Sequence, residues 1–186
     1  MSARRRTVLF DFDGTLIDSD AALLAPFSAL GIEAQAVPPL GLPLGMACAC
    51  AGVSVADYLD LYDPSISMPF TGVTALLGQL PRWGLCSNKR RDSGERELVR
   101  LDWHPAAAFF SDDFEGRPKE LAPVLVALEL APADVLFVGD TDHDRICAEL
   151  AGVDFALAGW NLRARRGARP GDVVLDRPGD VLALLD

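Results

Sequence analysis

A long stretch in the first half of the chain carries no positive charge. Between Thr7 and Pro81 there is no Lys, Arg or His, against eight Asp and Glu residues, and the chain of 186 residues has a formal net charge of −10. General nucleic-acid binding needs a basic face that replaces the counterions around phosphates, so this class of protein is excluded. The composition favours a protein that acts on small molecules.

Long apolar runs are missing as well. The N-terminal MSARRRTVLF resembles a secretory leader, but its apolar run ends at Asp11 after four residues, where a leader needs about 7 to 15. No later run approaches the ~18 apolar residues of a membrane span. We therefore expect a cytoplasmic protein without a membrane partner.

Cysteines are few and scattered. The C-x-C pair has no second pair of metal ligands near it, so we expect reduced packing residues rather than metal or disulfide sites at Cys48, Cys50, Cys86 and Cys147.

Short apolar runs alternate with helical patterns along most of the chain, which is typical of an α/β fold with a Rossmann-like parallel sheet. Helices are predicted at 93–101, 118–130 and 142–152, the last closed by Gly152. Strands are predicted at 7–10, 84–87, 107–110, 134–139 and 154–159, with a possible sixth at 172–176.

Residues 17–72 do not follow this alternation and are predicted to form an inserted small helical domain, called the insertion below. They contain a helical stretch interrupted by Pro26, a Pro/Gly-rich run, and a short helix in which Ser54 and Asp57 have the spacing of a capping box. The core domain would then comprise residues 1–16 and 73–186, since the length suits one domain with an insertion but not two full domains.

Polar side chains follow the predicted strands at their carboxyl ends, the edge at which open α/β sheets bind ligands. Asp11 and Asp13 end the first strand on one side, with Phe10 and Phe12 turned into the core. Two acids so close together repel, and their joint ionisation requires a cation such as Mg²⁺. The other polar residues at this edge are Ser87, Asn88, Lys119, Asp140, Asp142 and Asp144.

Four segments resemble, in order and approximate spacing, the four motifs of the haloacid dehalogenase superfamily: DFDGTL (11–16), LCSN (85–88), the lysine of GRPKE (116–120) and VGDTDHD (138–144). The first is fairly specific by itself, and the ordered set is strong. PFTGV (69–73) is similar to the segment that closes the cap in phosphoglycolate-phosphatase-like members, which makes the insertion resemble a small helical cap.

The resemblance implies a phosphatase with an aspartyl-phosphate intermediate, in which Asp11 is the nucleophile and Asp13 the general acid and base. It implies Mg²⁺ held by Asp11, the Asp13 backbone carbonyl and Asp140, with Asp144 as a further ligand or as a partner of a ligand. Thr15 is expected to hydrogen-bond Asp13. The expected partners of the phosphoryl group are Gly14, Thr15, Ser87, Asn88 and Lys119.

Two neighbouring residues are expected to have no chemical role. Asp142 is predicted to be a solvated residue of a first helical turn, where the helix dipole favours acids. His143 is predicted to be an exposed helix residue, although a histidine at this place could also be a general base.

Other activities of the superfamily fit less well. The second Asp favours phosphoryl over carbon–halogen chemistry, and the chain has no lysine in the insertion for a phosphonatase Schiff base. A phosphotransferase or mutase, or a silent Mg²⁺- and phosphate-binding regulatory module, stays open as an alternative. The oligomeric state is open too.

The substrate is expected to be a small phosphorylated metabolite. Because the insertion has no cation, we hypothesise a leaving group that is neutral, apolar or cationic, or a distal anion bound by the core. The suggested contacts of the leaving group are Asp18, Ser19, Met46 and Phe70, from their position near the hinges of the insertion. The core cations that could bind a distal anion are Lys89, Arg90, Arg91, Arg163, Arg165 and Arg166. The alternative is that these arginines form a solvated surface cluster.

Overall fold

The computed structural model describes residues 7–185, so the predictions that touch residues 1–6 and 186 lie outside the described part. Five strands form a parallel sheet in the order β5-β4-β1-β6-β7, and this confirms the predicted α/β fold. The strands of this sheet are β1 (Thr7–Phe10), β4 (Trp83–Cys86), β5 (Ala107–Phe109), β6 (Val135–Gly139) and β7 (Asp154–Leu157).

The sheet is central because its middle strands are apolar on both faces. β1 pairs in parallel with β4 on one side and β6 on the other, and Val8, Leu9 and Phe10 are fully buried. One apolar cluster covers each face of the sheet. The flanking helices are α4 (Val73–Leu77), α5 (Arg91–Leu101), α6 (Leu121–Leu128), α7 (Asp142–Ala151) and α8 (Leu162–Arg166).

The insertion contains three helices with an apolar cluster of their own around Phe27, Cys48 and Tyr58. It is joined to the core by two short antiparallel strands, β2 (Ile17–Asp18) and β3 (Met68–Pro69). This arrangement supports a separate insertion, and the limits at 17 and 72 stay a prediction. Its helices are α1 (Asp20–Ala29), α2 (Leu44–Ala51) and α3 (Val55–Leu61).

Local signals placed several helix ends correctly. The Ser54 hydroxyl accepts a hydrogen bond from the Asp57 amide at the start of α3, and Gly152 ends α7 in the left-handed conformation, both as predicted. The predicted interruption at Pro26 is wrong, because α1 continues through it and the proline is buried.

The possible sixth strand at 172–176 is wrong. Only one isolated bridge forms there, between Leu157 and Val174. The segment meets β7 only at Leu157, whose amide donates to the Val173 carbonyl and whose carbonyl accepts from the Leu175 amide. At its start, the Asp172 carboxylate is bound by the guanidinium of Arg145, at 3.0 and 2.7 Å, and by the Arg169 amide.

All four cysteines are free, and three of them are buried as predicted, whereas Cys50 is exposed and is not a packing residue. Among residues 7–185 no single helix has the length and apolar character to cross a membrane; α2 and α3 meet that criterion only when taken together, across a bend of 106°.

Candidate active site

The first carboxylate follows β1 directly. The Asp11 amide donates to the Val138 carbonyl at 2.9 Å, which extends the pairing with β6 and fixes the direction of the side chain. Asp11 is 4% exposed, while Phe10 and Phe12 are fully buried in an apolar cluster, as the alternation predicted. The strand therefore presents Asp11 at the carboxyl edge of the sheet.

A buried lysine binds this carboxylate. Lys119 Nζ lies 2.7 Å from Asp11 Oδ1 and 2.6 Å from Asp144 Oδ1. Burial by itself would lower the pKa of Lys119, but the two carboxylates outweigh it and raise that pKa, so the lysine is charged.

Lys119 lies in the loop before α6, so the predicted start of this helix at residue 118 is wrong. Its amide donates to Asn88 Oδ1 at 2.7 Å and its carbonyl accepts from Cys147 Sγ at 2.9 Å, so both backbone groups are bound outside α6. Helix α6 begins only at Leu121. The loop carries the ammonium to the site.

The second carboxylate is held by a different lysine. Lys89 Nζ lies 3.0 and 3.2 Å from the two oxygens of Asp13 and 3.2 Å from Glu97 Oε2. The lysine also donates to the Tyr62 hydroxyl at 3.0 Å, and this hydroxyl in turn donates to Glu97 Oε1 at 3.2 Å. Asp11 and Asp13, two positions apart, thus have separate cations.

Glu97 is expected to make stability depend on pH. Burial raises the pKa of Glu97 from 4.5 to about 7, against the attraction of Lys89. The folded protein then holds this proton more tightly than the unfolded chain, so stability is lost as the pH rises from 4.5 to 7. Glu97→Gln is expected to remove about 1–3 kcal/mol of this fall, as measured by urea unfolding at several pH values.

Glu149→Gln is the matched control, because Glu149 is an exposed helix glutamate. Its unfolding free energy should follow that of the wild type across the same range. If Glu97→Gln also follows the wild type, the Lys89–Glu97–Tyr62 cluster does not hold its proton as described.

Three buried carboxylates meet beside Lys119. One oxygen each from Asp11, Asp140 and Asp144 lies within 4.8 Å of the others. Burial, together with neighbouring carboxylates, raises the pKa of Asp11 to about 6 despite Lys119, and raises that of Asp140 well above its usual value. The excess negative charge and the oxygen-only donor set fit a hard divalent cation.

The loop after Asp13 approaches Asp140 closely. Gly14 has φ +77°, and a Cβ there would lie within 2.2 Å of Asp140 Oδ2, so glycine is required. The Thr15 hydroxyl donates to Asp140 Oδ1 at 3.0 Å. The prediction that Thr15 binds Asp13 is therefore wrong, because the turn directs the hydroxyl toward β6.

Residues after β7, which the sequence did not single out, hold this loop. Asn161 Nδ2 donates to the Gly14 carbonyl at 2.7 Å, and Trp160 Nε1 donates to the Thr15 carbonyl at 2.9 Å. Asn161 also caps α8 by accepting from the Arg163 amide. Asn161 could have been identified from the sequence, because an Asn between a predicted strand and a helix is a typical N-cap.

Arg163 joins the insertion to the carboxylate cluster. Its guanidinium binds Asp20, the first residue of α1, at 2.8 and 3.1 Å and Asp140 Oδ2 at 2.6 Å. Arg163 therefore does not belong to a solvated surface cluster. Arg90, in contrast, is a surface arginine as that alternative predicted, and it binds the exposed Asp92.

Asp144 is fully buried and bound on both oxygens. Its Oδ2 accepts from the Thr141 hydroxyl at 2.6 Å and from the amides of Thr141 and Asp140. Burial raises the pKa of Asp144, but Lys119 and the Thr141 hydrogen bonds outweigh this and hold it below the usual value. Asp144 therefore anchors both the loop and the lysine.

The neighbours of Asp144 differ in their exposure. Asp142 is exposed and pairs with Arg145 and Arg169, as a surface residue would. His143 was expected to be exposed but is half-buried, since it packs toward Cys147. Burial and the charge of Lys119 lower its pKa, so the imidazole is neutral at pH 7.

Ser87 and Asn88 follow β4. Ser87 is 1% exposed, and its hydroxyl accepts from the Lys89 amide at 3.3 Å. The Asn88 side chain donates to the Gly41 carbonyl of the insertion at 2.6 Å and accepts from the Lys119 amide. Asn88 thereby connects three segments, and the binding of phosphate by either residue stays a prediction.

A cavity of about 90 Å³ lies between these residues and the insertion. Its floor includes Asp11, Asp13 and Ser87, and its opposite wall comes from the insertion. The described residues that line it do not include the suggested contacts of the leaving group, Asp18, Ser19, Met46 and Phe70. The wall instead includes Leu23, Phe27, Leu40, Leu44, Tyr58 and Tyr62.

Comparison with known proteins places this site in a family. Residues 54–158, more than half of the chain, match the model of the haloacid dehalogenase-like hydrolases. A phosphoglycolate phosphatase from Xylella fastidiosa is 30% identical in an alignment of 190 positions, gaps included, that takes in 86% of this chain and 82% of that protein. The chain belongs to the haloacid dehalogenase-like hydrolases.

A further relative of this hydrolase and a protein of the same fold both span nearly its whole length. An N-acetylmuramic acid 6-phosphate phosphatase from Pseudomonas aeruginosa is 28% identical over 98% of this chain and 96% of its own. A haloacid dehalogenase-like family hydrolase of known structure from Streptococcus pneumoniae, 20% identical, superimposes with a TM-score of 0.73 over 98% of this chain and 99% of that one, which shows the fold. The predicted superfamily and enzyme class, a phosphate-ester hydrolase, are confirmed.

Proposed function

We propose that the protein is a Mg²⁺-dependent phosphatase that hydrolyses a small phosphate monoester through an aspartyl-phosphate intermediate. The observation that carries this proposal is the separation of Asp11 and Asp13 onto different lysines in one cavity. A nucleophile and an acid/base group have different tasks, and different surroundings allow two carboxylates to perform them.

Asp11 attacks phosphorus, so that a bond forms between its carboxylate oxygen and phosphorus while the bond to the leaving oxygen breaks. Asp13 enters this step protonated, as the second step leaves it, and gives its proton to that leaving oxygen. In the second step Asp13 takes a proton from water, the water oxygen attacks phosphorus, and the bond to Asp11 breaks. Lys119 neutralises the Asp11 carboxylate, which lowers the repulsion between two anions.

The carboxylate cluster suits the metal. Asp11 and Asp140 would hold Mg²⁺ together with the Asp13 backbone carbonyl, and Asp144 would be a further ligand or the partner that fixes Lys119. When bound, Mg²⁺ supplies positive charge for the phosphoryl oxygens. Ser87, Asn88, Gly14 and Thr15 would surround the transferred group, with Asn88 acting by fixing the Lys119 loop.

Removal of the metal tests this proposal. The purified protein is expected to release 4-nitrophenol from 4-nitrophenyl phosphate with Mg²⁺, and to lose on the order of 10²-fold or more in rate after dialysis against a chelator, because a metal contributes several kcal/mol to such transition states. Added Mg²⁺ should restore the rate. Equal rates with and without metal would contradict the proposal, and no release at all would favour a silent binding module.

A further inference from the structure

We propose that the leaving group of the substrate is uncharged and poor in hydroxyl groups, that is, an alkyl or aryl group. This inference rests on the proposed function and specifies the substrate class for the same site. The proposed substrate differs from the substrates for which two relatives are named. Phosphoglycolate carries a carboxylate, and N-acetylmuramic acid 6-phosphate is an acidic sugar phosphate.

The geometry fixes where the leaving group lies. It departs on the side of the group that protonates it, and Asp13 faces the insertion through its contact with Lys89, which binds Tyr62. The cavity runs from Asp11 and Asp13 to the wall formed by the insertion. The leaving group must therefore contact that wall.

No spare charge is available there. Among the described residues that line the cavity the cations are Lys89 and Arg90. Lys89 is buried and already bound by Asp13 and Glu97. Arg90 follows β4 in the core, opposite the wall, and its exposed side chain pairs with Asp92. A carboxylate or second phosphate placed against this wall would lose its water without gaining a cation.

A cationic leaving group fares no better. The carboxylates that line the cavity are Asp11 and Asp13, and their lysine partners have already neutralised them. An ammonium group would find no unpaired anion in this part of the chain.

The two side-chain hydroxyl groups of the wall, those of Tyr58 and Tyr62, are also engaged. The Tyr58 hydroxyl donates to the Leu23 carbonyl at 2.9 Å, and the Tyr62 hydroxyl is bound by Lys89 and Glu97. A sugar would therefore leave hydroxyl groups without partners, which is costly in a desolvated site. The tyrosine rings stack at 6.0 Å, and Phe27 packs 5.0 Å from Tyr58, which offers an apolar aromatic surface.

Three esters of alkyl alcohols test the inference, because they avoid the advantage that a phenol has as a leaving group. With Mg²⁺, kcat/KM for 2-phenylethyl phosphate is expected to exceed that for phosphoglycolate and for glucose 6-phosphate by about 10-fold or more. Equal values, or a higher value for either of the other two, would overturn the inference.

A cation placed on the wall should change the preference. Leu40→Arg is expected to raise kcat/KM for phosphoglycolate relative to 2-phenylethyl phosphate by about 10-fold, because Leu40 lines the cavity and is only partly exposed. Met46→Arg is the matched control, since Met46 is 40% exposed in the same insertion and is not a residue of that wall. The control should leave the ratio unchanged.

Binding to Asp11→Asn separates this inference from the proposed function. If the wild type hydrolyses none of the three esters but the variant, measured by calorimetry with Mg²⁺, binds 2-phenylethyl phosphate most tightly, the phosphatase proposal fails and the ligand class stands. The ligand class fails if two results occur together. The wild type shows no preference for 2-phenylethyl phosphate, and the variant either binds another ester more tightly or binds none of the three.

Discussion

Asp11→Asn is expected to lower kcat on 4-nitrophenyl phosphate by on the order of 10⁴-fold or more, because an amide cannot form the bond to phosphorus. The substitution is nearly isosteric and the side chain is 4% exposed, so the packing around it should persist. Steady-state rates with saturating Mg²⁺ measure the loss. An acid-quenched sample of the wild type should carry an acyl phosphate that the variant lacks.

Stability distinguishes a lost nucleophile from a lost fold. Burial raises the pKa of Asp11 to about 6, so its ionised form costs folding free energy above that pH, and at pH 7.5 the variant should be as stable as the wild type or more so. Asp142→Asn is the control, since Asp142 is exposed, and it should keep nearly full activity. A stable Asp11→Asn variant with more than a tenth of the wild-type rate would refute Asp11 as the nucleophile.

Lys119→Met is expected to reduce both activity and stability. The substitution leaves Asp11 and Asp144 buried without the ammonium group that lies 2.7 and 2.6 Å from them. Removing one partner of a buried ion pair costs about 3–5 kcal/mol, and we expect a loss of this size in the free energy of unfolding at pH 8 without metal. The rate should fall by on the order of 10³-fold, since no fixed charge then offsets the phosphoryl group.

The loss of stability caused by Lys119→Met should increase with pH. Without Lys119 the pKa values of both carboxylates rise in the folded state, so the destabilisation grows as the pH rises from 5 to about 8. Urea unfolding at both limits measures it. Arg117→Met, which removes an exposed cation two residues away, should change stability by less than about 1 kcal/mol. A loss of stability that is the same at both limits would mean that Lys119 fills space rather than balancing charge.

Sequence reasoning predicted the parts that depend on local pattern. Period-two alternation placed Phe10 and Phe12 in the core and Asp11 at the edge, and cap residues such as Gly152 marked helix ends. It also brought Lys119 and Asp140 to the same edge of the sheet, because the carboxyl ends of parallel strands meet there.

The parts it did not predict depend on contacts between distant segments. The partners of Lys89 come from the loop after the first strand, the insertion and α5, and no local signal indicates that Tyr62 and Glu97 meet there. From the sequence, the hydroxyl of Thr15 could bind Asp13 or Asp140. The turn at Gly14 directs it to Asp140. The segment at 172–176 has strand-like composition, but tertiary contacts override it.

The separate interior of the insertion has a consequence for how a ligand reaches the cavity. Its apolar cluster shares no residue with the two clusters beside the sheet, and only β2 and β3 join it covalently to the core. The contacts that hold it over the site include Gly41 with Asn88, Tyr62 with Lys89, and Asp20 with Arg163. A swing about β2 and β3 would exchange these polar contacts for water and leave the three apolar clusters intact. Of the three contacts only Asp20–Arg163 is an ion pair, so salt would weaken that one contact and leave the other two nearly unchanged.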